Sequence, residues 1–156
     1  MSASFVDTNI LIYAHDTDAG DRHWRAKEIV RNLWETRQGM LSTQVLHEFY
    51  INVTQKIPSP MDAARARAVI EPYLRWRVQT LEPGSVLLAS EIQQRYRISF
   101  WDALIVLAAS KCGAAVLYTE DLNPGQVIEG VRIVNPLIDP AVHDAGWTGG
   151  AAGVQT

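Results

Sequence analysis

The sequence predicts an α/β protein of three layers, α/β/α, with a central parallel sheet of four or five strands. Three observations carry that expectation. Short apolar runs of strand length, at Ala3 to Val6, Met40 to Ser42, Val78 to Thr80, Ala115 to Tyr118 and Val131 to Val134, alternate with longer stretches whose apolar residues recur at helical spacing. The stretch Leu104 to Ala109 is apolar around nearly its whole circumference, as a helix packed inside the protein would be. Two of the strand-like runs end in a hydroxyl beside an acid, at Asp7-Thr8 and at Thr119-Glu120-Asp121, and ligands of open α/β sheets bind outside the carboxyl ends of strands.

Taken in order, Ala3 to Val6 gives way at Asp7 to a helix through Ile10-Leu11-Ile12-Tyr13-Ala14, with Asp7 or Thr8 suited to cap it. The acidic turn Asp16 to Asp21 is a solvated turn and not a calcium loop, because Asp21 and Lys27 stand where such a loop needs Gly and Glu. Trp24, Ile29, Val30, Leu33 and Trp34 mark a helix from Arg22 to Gln38, ended by Gly39. Beyond the strand at Met40 to Ser42, Ser42 or Thr43 can cap a helix reaching Lys56. Val45, Leu46, Phe49 and Val53 form its apolar stripe, and Gln44, Glu48 and Asn52 stack four apart on a polar strip beside it.

Ile57-Pro58-Ser59-Pro60 is a stiff connection, since each proline fixes its own dihedral and biases the residue before it. A helix from Met61 to Arg75 follows, with Arg65, Arg67, Arg75 and Arg77 making a basic edge beside Trp76. Next come a strand at Val78 to Thr80 and a helix from Pro83 to Tyr96. Ser99 and Asp102 have capping-box spacing at the start of the buried helix, where the positive end of the helix dipole also favours a carboxylate. Gly113 ends that helix. Asn123-Pro124-Gly125 is a turn, and Asn135-Pro136 closes the last strand. Residues 1–137 thus read as one domain. The tail, 138–156, with Gly146, Gly149, Gly150 and Gly153 and little periodicity, is expected to be mobile.

A chain of 156 residues, 47% of them apolar, can fill one core and has no room for a second domain. The net charge of −3 gives no overall basic field, so contact with nucleic acid would rest on local patches. Cys112 is the only cysteine, which excludes an intrachain disulfide and a cysteine-rich zinc cluster, and His15, His23, His47 and His143 lack ligand spacing. His47-Glu48 has Ile51 where a zinc protease needs its second histidine. No run approaches the ~18 apolar residues of a membrane helix, and no leader-like segment opens the chain, so the expected setting is soluble and cytoplasmic.

Asp7, Glu48, Asp102 and Asp121 are the acids that these placements offer for chemistry. Asp7 and Asp121 end strands of one parallel sheet and share a rim; Asp102 follows a helix, so strand order by itself leaves its position open. Carboxylates that converge cannot all stay ionised without a counter-charge, because each raises the pKa of the next. Hard divalent cations, Mg²⁺ or Mn²⁺, supply that charge and suit phosphodiester hydrolysis, activating a water and steadying the leaving oxygen.

Four blocks resemble the PIN-domain family, and in particular its VapC-type ribonuclease toxins of bacterial toxin–antitoxin pairs. They are Phe5-Val6-Asp7-Thr8-Asn9-Ile10-Leu11-Ile12-Tyr13-Ala14, Leu41-Ser42-Thr43-Gln44-Val45-Leu46-His47-Glu48-Phe49, Ser99-Phe100-Trp101-Asp102-Ala103-Leu104-Ile105 and Leu117-Tyr118-Thr119-Glu120-Asp121-Leu122. The resemblance runs from about Phe5 to Leu137. It implies a PIN-like fold with the acids at one edge, Asp7 and Asp102 as metal ligands, and Glu48 and Asp121 completing the pocket directly or through water. Thr8, Asn9 and Thr119 would orient those carboxylates. The implied reaction is endonucleolytic cleavage of RNA with Mg²⁺ or Mn²⁺ and a metal-activated water. The implied partners are a small antitoxin whose C-terminal segment occupies the groove and a second copy of the chain in a homodimer. Glu120, beside Asp121, competes for the fourth position. Arg22, Arg25, Arg65 and Arg67, with Arg75 and Arg77, are candidates for a phosphate track.

Two other readings compete. A haloacid-dehalogenase-like phosphatase also places an Asp after its first strand, but needs a second two residues on, where Asn9 stands. A non-catalytic scaffold binding RNA or protein through the same fold would not require its acids, and all four are present.

Overall fold

Strand β1 (Ser4–Val6) lies inside a six-stranded sheet in the computed structural model, which describes residues 2–138. All three of its residues are buried, so it must be apolar on both faces, and that is why it reads as a continuous run and not an alternation. The sheet order is β3-β2-β1-β4-β6-β5, with β2 at Gly39–Ser42, β3 at Arg77–Gln79, β4 at Val116–Tyr118, β5 at Val127–Ile128 and β6 at Val131–Val134. Neighbours are parallel except β5, which pairs antiparallel with β6. The expected parallel strands are therefore present, and the sheet gains a further two-residue edge strand, β5. Its turn, Glu129 (φ 50°) and Gly130 (φ 81°), places two consecutive residues in the left-handed region, as tight hairpins require. Glutamate is an unusual occupant there. Its carboxylate accepts from Arg95 (2.8 Å) and from the Tyr96 hydroxyl (3.0 Å), which fixes the turn.

The helices are α1 (Thr8–His15), α2 (Asp21–Thr36), α3 (Thr43–Gln55), α4 (Ala63–Ile70), α5 (Ser85–Tyr96) and α6 (Phe100–Lys111). Side-chain caps begin several of them: Asp7 accepts from Thr8 N–H, Ser42 from Val45, Asp62 from Arg65 and Ser99 from Asp102. Two expectations are corrected. The helix expected over Met61 to Arg75 breaks after Ile70 into a 3₁₀ turn, Glu71–Arg75, because Pro72 has no N–H to continue the ladder. Helix α2 closes on Arg37 in the left-handed conformation (φ 60°), not on Gly39. Gly39 instead opens β2, where a Cβ would stand 2.6 Å from ring carbons of Trp76. The glycine serves close approach, not helix termination. From residue 139 on, the tail lies outside the described residues.

Helix α1 packs against α2 and α3, α5 against α6, and α6 lies along β2, β3, β4 and β6. The core between these layers includes Phe5, Ile10, Leu11, Leu41, Val45, Phe49, Val106, Leu117 and Ile133. The chain runs outward from β1 through β2 to β3, then returns by α5 and α6 to the far side of β1 at β4. The order thus reverses between β1 and β4, and in open α/β sheets ligands bind in the crevice at that switch point. Helix α6 must deliver the chain to the amino end of β4, so its first turn starts at the carboxyl rim. That exit requirement places Asp102 at the crevice.

Candidate metal centre

Asp7 follows β1 directly, and its backbone N–H donates to Tyr118 O of β4 (3.0 Å), which seats it in the crevice between the two strands. Its carboxylate is fixed on both oxygens: Oδ1 accepts from Thr8 N–H (2.7 Å) and Oδ2 from the Thr119 hydroxyl (2.8 Å). Thr119 Oγ1 also accepts from Asp121 N–H (3.1 Å), and Asn9 Nδ2 donates to Asp121 Oδ2 (2.8 Å). Thr8, Asn9 and Thr119 therefore touch the acids they were expected to orient. One carboxylate oxygen each from Asp7, Asp102 and Asp121 lies within 4.8 Å of the others. The three run from buried Asp7 through half-buried Asp102 to exposed Asp121 at the mouth.

Glu48 lines the same cleft but stands outside that set of three. Its Oε1 accepts from the Thr8 hydroxyl (2.6 Å) and its Oε2 from Gln44 Nε2 (3.1 Å). Glu120 is turned away: it accepts from the Tyr13 hydroxyl (2.8 Å) and does not line the cleft, which leaves the position to Asp121.

Burial pushes the Asp7 carboxyl up to about 7; the hydrogen bonds from Thr119 and Thr8 oppose this, and the nearby charges of Asp121 and Asp102 add to it. Asp102 is also raised, first by burial and then, against the Ser99 side chain, by Asp121 and Glu48. The ion pairs among the described residues, Arg31 with Glu28 and Glu35 and Arg95 with Glu129, involve none of these acids. Asn9 Oδ1, in the residue beside them, is buried without a hydrogen-bond donor. Hard oxygen donors, crowded and without a cationic partner, fit a hard divalent cation.

The cleft, of about 590 Å³, is also lined by His47, Asn52, Lys56 and Trp101. Lys56 continues the spacing of Gln44, Glu48 and Asn52 by one more step of four, so extending that polar strip would have found it. Arg22, Arg25, Arg65 and Arg67 do not line the cleft. Arg22 stacks over Tyr13 (5.6 Å), Arg25 donates to Ile138 O (3.4 Å), and Arg65 borders the cavities around His15. Arg75 and Arg77 line a cavity at the opposite rim, by the amino ends of β2 and β3.

A family model for the PIN domain matches residues 4–127 of the chain. The chain belongs to the PIN-domain family. Its fold is similar to the crystal structure of Mycobacterium tuberculosis VapC20, a toxin that cleaves the sarcin–ricin loop. The TM-score is 0.59 at 27% identity, over 76% of this chain and 89% of that one. No curated protein matches the sequence significantly. The acids of this PIN domain lie inside the matched span, and membership makes nuclease chemistry the general activity of the fold. Among the described residues no helix is long and apolar enough to cross a membrane.

Proposed function

We propose that this PIN-domain protein is a metal-dependent endoribonuclease and the toxin of a toxin–antitoxin pair. The observation that carries the reading is the convergence of Asp7, Asp102 and Asp121 within 4.8 Å at the switch point of the sheet. These three would hold Mg²⁺ or Mn²⁺, which when bound supplies the positive charge that keeps them ionised together and polarises water for attack on phosphorus. Thr119 and Thr8 N–H lock the Asp7 oxygens, and Asn9 locks Asp121, so the acidic pocket is formed before RNA arrives. Glu48, held by Thr8 and Gln44, keeps lone pairs on Oε1 and Oε2 to accept the proton that the attacking water loses. Among the described residues Lys56 is the one lysine or arginine that lines the cleft, and it would face the phosphate backbone.

The resemblance to VapC toxins, VapC20 among them, further supports a small antitoxin as partner, with its C-terminal segment in the cleft, and a homodimer. A small open reading frame next to this one whose product co-purifies with it would establish the pair. The nuclease is tested by incubating a mixed RNA pool with the purified protein in Mg²⁺, Mn²⁺ or excess chelator, alongside Asp7→Asn and Asp102→Asn. Cutting should need the metal and disappear in both variants. Cutting that persists in chelator and in both variants overturns the reading.

A further inference from the structure

Trp101 is 64% exposed, although an indole ordinarily lies in a core or an interface. It is the second residue of α6, next to Asp102, and it stands between the acidic cleft and a second cavity of about 400 Å³ that Leu81, Leu104 and Thr43 also line. The two cavities share Gln44, His47, Glu48 and Trp101, so they form one continuous surface. Phe100 meets the indole edge to face at 5.5 Å and 77°, and Leu104 follows three residues on along the same helix face. The ring is thus held in place while most of it stays uncovered. Among the described residues the Thr43 hydroxyl and the His47 ring make no hydrogen bond, which leaves polar groups beside an apolar surface.

We propose that Trp101, with Leu81 and Leu104 beside it and Thr43 and His47 at the edge, is a stacking subsite for one nucleobase of single-stranded RNA. That base adjoins the phosphate that a divalent cation on Asp7, Asp102 and Asp121 would hold. Unpaired bases are recognised by stacking on aromatic rings and by hydrogen bonds to their edges, and this surface offers both within one cavity of the acids. The choice of RNA rests on the nuclease reading; the subsite itself is read by binding.

The test measures equilibrium binding of a short fluorescein-labelled random-sequence RNA, and of an abasic ribose-phosphate oligomer of equal length, in Ca²⁺. Wild type, Trp101→Ala and Trp101→Phe are compared as full chains, with cleavage of the RNA in Mn²⁺ followed in parallel. Wild type should prefer RNA to the abasic oligomer. W101A should lose between about fivefold and about a hundredfold in RNA affinity, with abasic binding unchanged, and W101F should keep most of it. A wild type that does not distinguish the two oligomers overturns the subsite, as does a W101A that weakens both equally or neither. So does a W101A that turns a dimer into a monomer with RNA binding intact, since that face would then belong to a second copy. Base-dependent binding lost in W101A without any metal-dependent cutting upholds the subsite and overturns the nuclease. Metal-dependent cutting with base-independent binding does the reverse.

Discussion

Asp7 is both the cap of α1 and the buried member of the acidic cluster, and the two roles share one geometry, since the bond from Thr8 N–H that caps the helix also fixes Oδ1 toward the cleft. The arrangement costs stability. A carboxyl raised to about 7 by burial resists ionisation in the metal-free fold at neutral pH. Asp7→Asn keeps the shape and removes the charge, so at pH above 7 in chelator the variant should unfold at higher urea, by about 1–4 kcal/mol, while RNA cleavage is lost. A variant less stable than wild type under those conditions would show that the charge is not the burden. Glu48 separates differently. Because it lies outside the group of three, Glu48→Gln should bind Mn²⁺ within about threefold of wild type by calorimetry, yet cleave about 10²–10⁴-fold more slowly, the usual worth of a general base. Loss of metal binding in the same variant would make Glu48 a ligand. The sequence made the four acids legible as candidates. It could not divide them into a group of three and a neighbour, because that depends on Thr8 and Gln44 turning Glu48 toward themselves.

At the scale of elements, the sequence was most legible where one face decides the structure. The stripe of α3, the apolar girth of α6 and the continuous run of β1 each admit one placement. It was least legible where a residue answers to a distant neighbour. Gly39 reads locally as a helix stop, yet it is needed because Trp76, 37 residues on in the sequence but adjacent across β2 and β3, lies against it. The β5–β6 hairpin was missed for a similar reason, since Glu129 takes a left-handed turn through its bonds to Arg95 and Tyr96 and not through turn propensity. The Gly39 contact carries its own prediction. Trp76 is buried and wedged between Trp34 (5.2 Å) and Tyr73 (5.1 Å), so it cannot swing aside freely. Gly39→Ala should therefore destabilise the fold by about 1–3 kcal/mol, the cost of overpacking, with a fall in the urea midpoint and a change in tryptophan fluorescence. An unchanged midpoint would mean that the Trp34–Tyr73–Trp76 cluster yields.

For the whole molecule, the two most strongly displaced groups act on stability in opposite directions. His15, at the end of α1, is pushed down to about 4 by burial, with His23, Lys27 and Arg65 adding to it, and its ring is hydrogen-bonded to the Tyr73 hydroxyl (2.7 Å). Above its ordinary value of 6.5 the neutral ring fits the fold at full stability; as pH falls toward 4 the unfolded chain takes the proton first, and roughly 3 kcal/mol is lost. Asp7 behaves in reverse. Its contribution is full below 3.8 and disappears as pH rises through about 7, by about 4 kcal/mol. The windows overlap, so metal-free wild type should show a shallow stability profile across them. Urea midpoints in chelator at a series of pH values resolve the two. Asp7→Asn should lose stability steadily as pH falls from about 6.5 toward 4, whereas His15→Gln should gain over the same range. Mn²⁺ should move the wild-type profile toward that of Asp7→Asn, because a bound cation relieves the charge that the fold alone resists. Profiles that stay parallel in all three proteins would place the acid sensitivity elsewhere, whereas crossing profiles tie it to one half-buried histidine and one buried carboxylate at opposite ends of α1.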